Sequence, residues 1–353
     1  MSTDSDTSVE MQPSAGFSRR QALTGIGVGG LLAAAAGFGI ATSPRLPKGA
    51  TAALVDHHLH IQGPAVTAHL QKLLTEDSKL DAFSLLNKGA FAERTGVDAL
   101  RALDTAGIGR GVLLSEAYML SSADLVRDEN AFNVEAARTS RGRLSACVGV
   151  NPFRSEAIDE LRYWVGRDGV VGAKLHLANS EFDPRSSDMV DRLAAVVREC
   201  RALGLPLVIH PRHAADYSRE DAETLIDQVL SQAESLPIQI AHAGGWGGLD
   251  DATFAALGAY QDAIKAGRPG MSKLQIDLAV LVQAPWADGA QLHRLVDHMQ
   301  QIGLDRFLLG SDWPAIGSPG DYNRLLLGQL PLTHREQETV LTNVAYHLEA
   351  DNG

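Results

Sequence analysis

Eight short apolar runs recur along the chain, and most are followed by a longer stretch of helical periodicity. The runs are Ala52–Val55, Gly111–Leu114, Leu144–Val150, Val170–Leu175, Leu205–Ile209, Ile238–Ala241, Leu274–Leu278 and Arg306–Leu309. Between them lie amphipathic segments such as Asp98–Ala106, Ser187–Leu203, Glu220–Ser235 and Asp288–Ile302. In the first of these Ala99, Leu100, Leu103 and Ala106 repeat at the spacing of one helix face. Gly107, Gly204 and Gly303 stand where helices would close before the next strand. Continuous apolar strands alternating with helices imply a parallel sheet covered on its faces. Eight such units predict a closed, single (β/α)8 barrel, an α/β fold that a chain of 353 residues fills without a second core.

One connection is long. About 37 residues separate the first strand from the helix near Asp98, with helical patterns over Thr67–Leu74 and Leu80–Leu86. An inserted helical segment after the first strand would sit over the barrel mouth, as a lid or as a contact to a second copy.

The first 43 residues belong to something else. Residues 1–17 are polar, Ser18-Arg19-Arg20-Gln21-Ala22-Leu23 follows, and a weakly hydrophobic Gly/Ala-rich run extends from Ile26 to Ala41. The segment resembles a bacterial twin-arginine export signal, with Ala22 in place of the usual aromatic residue. Its roughly 16 apolar residues are short of the ~20 that span a bilayer. The chain thus divides into a signal segment, 1–43, and a barrel, 50–353. The expected location is the periplasm, or the membrane surface if the signal is not cleaved, and the export machinery is an expected partner. The two cysteines, Cys147 and Cys200, fall in a strand-like and a helical pattern, and are expected to be buried free thiols. The net charge is -12 and the body carries no Lys/Arg cluster, which argues against nucleic acid or an anionic membrane face as a partner.

The chemistry gathers at strand ends. Asp56, His58 and His60 follow the first run, His210 ends the fifth, His242 the sixth and Asp312 the eighth. Barrel enzymes place catalysis on this one rim. His58 and His60, two apart on a strand, point the same way, as two ligands of one ion must. A lone histidine or a lone strand-end aspartate has ordinary uses, as a surface residue or a helix cap. Metal-type residues at four strand ends of one rim point to a metal site. Arg212 could grip a carboxylate with its planar fork. Trp246 and Trp313 suit pocket walls, Glu116 and Asp277 are further rim carboxylates, and Asp277 has no assignable role. His57 should point away from the His58/His60 face and be structural. His69, His293, His298, His334 and His347 lie in helical segments and read as ordinary.

Together, Asp56-x-His58-x-His60, Gly172-Ala173-Lys174-Leu175-His176, the His210 and His242 strand ends and Gly310-Ser311-Asp312-Trp313-Pro314 resemble the amidohydrolase superfamily. The nearest branch is the amidohydrolase-related one, which includes aminocarboxymuconate-semialdehyde decarboxylase, aromatic-acid decarboxylases and pyrone-dicarboxylate lactonase. The resemblance covers about residues 52–348. It implies His58, His60 and His210 as metal ligands, Asp312 as ligand or general base, and His242 as the group that polarises the substrate. Asp56 would orient the imidazoles from behind. Two-metal members use a carboxylated lysine on the fourth strand. Lys174 stands on that strand, but the Lys174-Leu175-His176 setting is that of the single-metal branch, so one divalent ion is expected, zinc first and manganese second. By alternation His176 and Lys174 face the same way.

The resulting expectation is a metal-dependent hydrolase of a lactone, ester or amide of a small carboxylate-bearing substrate. Non-oxidative decarboxylation of an unsaturated or aromatic acid uses the same ligands and stays open. A non-catalytic exported binding protein would have lost at least one of these residues, and none is missing. Dimers are common in the branch, so a homodimer is the assembly to test.

Overall fold

The computed structural model of the protein describes residues 54–76, 92–116, 122–211, 217–245, 248–282, 287–315 and 317–349. The export-signal reading of residues 1–43, the second helical pattern of the insertion, Arg212 and Trp246 lie outside the described residues.

The eight strands are β1 (Val55–Leu59), β2 (Arg110–Leu114), β3 (Leu144–Val150), β4 (Val170–His176), β5 (Leu207–His210), β6 (Ile238–Ile240), β7 (Leu274–Asp277) and β8 (Phe307–Leu308). They pair in chain order and every pair is parallel. Between β8 and β1 the barrel closes through His57 N–H to Leu309 O, Asp312 N–H to His58 O and a parallel bridge of Leu59 to Trp313. The fold is the expected (β/α)8 barrel. Among the helices are α1 (Pro64–Glu76), α2 (Gly96–Ala106), α3 (Ala123–Thr139), α4 (Ala157–Trp164), α5 (Ser187–Leu203), α6 (Arg219–Thr224), α7 (Asp251–Lys265), α8 (Gly289–Ile302), α9 (Pro319–Gln329), α10 (His334–Thr342) and α11 (Tyr346–Glu349).

Local sequence explains the boundaries. Thr95 and Asp98 form a reciprocal capping box that starts α2, as Asp288 and Gln291 do for α8. Gly107, Gly204 and Gly303 end helices with positive φ, as expected. α1 coincides with the first helical pattern of the insertion.

Alternation sorts each strand into two faces. Ala146, Val148, Leu207, Ile209, Ile238, Ile240, Leu274 and Ile276 pack outward in the main core. Val55, Val112, Leu114, Cys147, Val208 and Leu308 form a second cluster with Ala345 and Leu348. Val55 begins β1, so the short α11 and the residues before it make the floor of the barrel. Gln275 ties that floor down, donating to Val344 O and accepting from Tyr346 N–H. Both cysteines are buried and free, and burial pushes both thiols up to about 12, which leaves them inert near neutral pH.

β1 starts three residues later than its apolar run predicts, so Asp56 and His58 lie within the strand rather than after it. The strand slips register against β2 between Asp56 and Leu59. Through that slip consecutive residues serve opposite ends of the barrel. His57 donates through Nδ1 to Leu309 O at 2.8 Å and accepts through Nε2 from the Ala345 N–H of the floor. His58 reaches the mouth. His57 is therefore structural, and the device is a pin between the first strand and the floor. His347 is not an ordinary helix-surface residue. It is buried in the floor, and burial pushes its imidazole down to about 3.

Candidate metal centre at the barrel mouth

Three donors converge at the β1 and β8 ends. His58 Nε2 lies 3.2 Å from His60 Nε2, and Asp312 Oδ1 lies 3.3 Å from the first and 3.0 Å from the second. The other ring nitrogens fix the tautomers. His58 Nδ1 is 2.9 Å from the buried carboxylate of Asp277, and His60 Nδ1 donates to Leu114 O at 2.8 Å. Each Nδ1 thus carries a proton, and each Nε2 is left either to offer a lone pair to a cation or to share one further proton with Asp312. Two lone pairs and a carboxylate oxygen packed this closely repel one another unless a cation lies between them. Two ligands about 2.1 Å from one ion at the tetrahedral angle stand about 3.4 Å apart, so these residues fit a divalent metal.

Burial alone would raise the Asp312 carboxyl, but the hydrogen bond to His60 and the neighbouring His58 outweigh it and hold Asp312 well below the usual carboxylate range. Burial pushes His58 down to about 4 against the pull of Asp277, which leaves it neutral at pH 7. His60 is shifted up despite its burial, because it hydrogen-bonds Asp312 and sits near Glu116. Asp312 has φ 59°, a left-handed conformation uncommon outside glycine, asparagine and aspartate.

The rim continues as an arc of imidazoles. The His58 ring lies 4.7 Å from His242, His242 4.6 Å from His210, and His210 4.1 Å from His176. His242 occupies a tight turn with φ 52°, followed by Ala243 at φ 54°. Its Nδ1 donates to Ala279 O at 3.1 Å, which leaves the lone pair on Nε2. His176 has the opposite tautomer. Its Nδ1 accepts from Asn179 N–H, so its Nε2 bears the proton, 4.0 Å from Glu116. Burial, more than any neighbour, pushes both His176 and His210 well below the usual range.

The expected residues divide as follows. His58, His60 and Asp312 share one cluster. His210 is not in that cluster; its ring packs against those of His242 and His176. Lys174 is buried inside the barrel with no hydrogen bond from Nζ to any described residue, and faces the same way as His176. Trp313 is partly buried and packs against the outer core, with its N–H on Ser311 Oγ. Glu116 accepts from Asn179 Nδ2, and burial raises its carboxyl.

Asp56 differs from expectation. Its Oδ1 accepts the backbone N–H groups of His58 and Ser311 and meets no imidazole among the described residues, so it ties β1 to the loop after β8. Burial pushes its carboxyl up to about 7. The carboxylate on His58 belongs to Asp277, to which the sequence assigns no role. Gly310 shapes the site by its lack of a side chain. A Cβ there would lie 2.7 Å from His58 Cβ, so only glycine lets the two strands approach. Gly310→Ala is expected to cost about 1–3 kcal/mol of stability, read by denaturant unfolding, and an unchanged midpoint would show that the contact relaxes freely.

A (β/α)8 barrel with a histidine–aspartate cluster at the strand C-termini defines a class of metal-site barrel proteins. The amidohydrolase family profile matches residues 55–347, and the chain belongs to that family. Solved structures show the same fold. A zinc-bound amidohydrolase from Burkholderia multivorans is 15% identical, with TM-score 0.56, over 82% of this chain and 96% of that one. A dihydroxybenzoic acid decarboxylase from Polaromonas sp. JS666, bound to manganese and 2-nitroresorcinol, is 15% identical, with TM-score 0.57, over 85% and 98%. A protein assigned as a 2-pyrone-4,6-dicarboxylic acid hydrolase from Pseudomonas putida is 18% identical, with TM-score 0.56, over 86% and 99%. No curated protein matches the chain in sequence.

Proposed function

We propose that the protein is a metal-dependent hydrolase that cleaves a lactone, ester or amide of a small carboxylate-bearing substrate. One observation carries the reading. Asp312 Oδ1 lies 3.0 Å from His60 Nε2 and 3.3 Å from His58 Nε2 at the barrel mouth, where a carboxylate beside an ion can take a proton from water. His58, His60 and Asp312 would hold one divalent ion, zinc first and manganese second, with His210 the further ligand that the sequence pattern suggests. Bound there, the ion supplies Lewis acidity and brings the pKa of a water to roughly 7.

The residues of the chain divide the remaining work. Asp312 takes the proton of the attacking water and returns it to the leaving group. His242 presents Nε2 to the substrate. With Nδ1–H engaged by Ala279 O, it stabilises a developing oxyanion only as an imidazolium, so it must gain a proton before it donates one. Arg212 is placed by sequence next to His210 and suits the substrate carboxylate. Decarboxylation is the second reading. It needs an acid at the rim, and Glu116, whose carboxyl burial shifts upward beside His60 and His176, is placed to serve as one. Zinc- and manganese-bound relatives of both kinds support the metal reading and leave the reaction to experiment.

The test is turnover. Zinc- or manganese-loaded protein is given small lactones, esters and amides of carboxylic acids, and in parallel unsaturated and aromatic acids with CO2 detection. Hydrolysis lost on Asp312 substitution supports the first reading. CO2 release without hydrolysis replaces it by the second. We propose also that residues 1–43 direct export. A lysine pair in place of Arg19 and Arg20 should keep the protein in the cytoplasmic fraction, and an unaltered distribution would remove that proposal.

A further inference from the structure

The carboxylate of Asp277 makes four contacts at the end of β7. Oδ2 contacts His58 Nδ1 at 2.9 Å and accepts from Gln239 Nε2 at 2.8 Å. Oδ1 accepts from His242 N–H at 2.9 Å and Ala279 N–H at 3.2 Å. It is wholly buried at the end of β7, and four N–H groups converge on it. Two of them belong to histidines with different tasks. The contact to His58 sets which nitrogen of that ring carries the lone pair. The contact to His242 N–H holds a backbone in the left-handed region, which a non-glycine residue adopts only when its surroundings impose it. Ala279, which shares Oδ1, also presents the carbonyl that fixes the His242 tautomer.

The element that carries these groups is itself clamped. Tyr322 of α9 donates to Leu278 O and accepts from Leu281 N–H across the turn that follows Asp277. The same turn includes Val280 at φ 61°.

Asp277 also belongs to a second group of donors, with His58 and His242, that lie close enough together to hold an ion. Its lone pairs are already filled by the four N–H groups, so this group acts as a support and not as a binding site. We propose that Asp277 is the positioning residue of the site, one carboxylate that sets the ligand tautomer of His58 and the left-handed turn of His242 together. The inference rests on the metal reading above for its consequence, and on geometry alone for its cause.

The substitution Asp277→Asn separates the two oxygens. It leaves one acceptor oxygen and puts one NH2 group in nearly the same volume. The two backbone N–H groups of His242 and Ala279 are fixed and claim the oxygen. The NH2 group then faces His58 Nδ1, where two donors cannot meet. His58 relieves the conflict by moving its proton to Nε2, which removes the lone pair from the cluster.

Two measurements test this on the full chain. The first is the long-range 1H–15N spectrum of 15N-histidine protein stripped of metal, with His58 assigned by loss of its signals in His58→Gln. Wild type should show Nδ1 protonated and Nε2 bare at His58, and Asp277→Asn should show the reverse. The second is zinc affinity by chelator competition. Removing a group that orients a ligand typically costs 10–100-fold in affinity, and Asp277→Asn should lose that much. A His58 with Nδ1 bare and Nε2 protonated in wild type overturns the proposal even if the variant does not fold. So does an Asp277→Asn protein that keeps the wild-type tautomer and zinc affinity within threefold. A wild type that shows the expected tautomer and binds no zinc would instead sink the metal reading and leave the positioning role standing.

Discussion

Asp312→Asn is expected to fold normally and to lose turnover by roughly 10²–10⁴-fold, the usual weight of a general base. The fold should survive because asparagine tolerates the left-handed backbone that Asp312 adopts at φ 59°. The Asp312 N–H to His58 O bond that helps close the barrel is a backbone contact and stays in place. What disappears is the charge. A neutral amide at this position can neither take a proton from water nor balance His60, whose imidazole is held up by the native carboxylate. Metal content should be measured on the same sample, because the substitution also weakens a proposed ligand. Turnover within threefold of wild type, at equal metal content, would remove Asp312 from the mechanism.

Stripping the protein of metal is expected to abolish turnover and lower Tm, and one equivalent of zinc or manganese should restore both. The reason lies in the lone pairs. Without a cation, His58 Nε2, His60 Nε2 and Asp312 Oδ1 stand within 3.3 Å of one another and must share a proton or separate. A ligand present at a thousand times its Kd adds about 4 kcal/mol to folding, which in a chain of this size raises Tm by roughly 5–10 °C. Plasma mass spectrometry gives the stoichiometry. One equivalent, retained in Lys174→Met and lost in His58→Ala, fits the single-ion reading. Two equivalents would bring Lys174 Nζ, which meets no partner among the described residues, into play. Comparison with His210→Ala decides whether His210, one ring removed from the cluster, closes on the ion. No bound metal and no change in Tm would overturn the metal centre.

The barrel is legible in the sequence because its outward-facing residues form unbroken apolar runs. β3 is legible to its observed ends, since Leu144–Val150 is apolar throughout apart from serine and glycine. β1 is displaced for the opposite reason. Asp56, His57 and His58 are buried in strand geometry, and a hydropathy reading discards buried polar residues. The cluster is legible as residue types at strand ends. The role of Asp277 is not, because its partners come from β1, β6 and the turn after β7, and only the closed sheet brings them together. Gln239 and Gln275 leave a fainter trace. Gln239 is the one polar residue of β6 and Gln275 stands between two apolar residues of β7, and each faces the barrel interior to serve the hub or the floor. His57 and Ala345 are 288 residues apart, beyond the reach of any local pattern.

That last separation also sets an order of events during synthesis. The segment carrying His58 and His60 is among the first parts of the barrel to emerge. Asp312, Gly310 and the floor that pins His57 are among the last. A nascent chain therefore holds two exposed imidazoles long before it holds a site, and long-range closure of this kind is slow compared with local folding. An ion that needs the whole cluster could be held only once translation is nearly finished. A chain cut short before Ala345 would lose the pin beside His58, although every residue of the cluster is present.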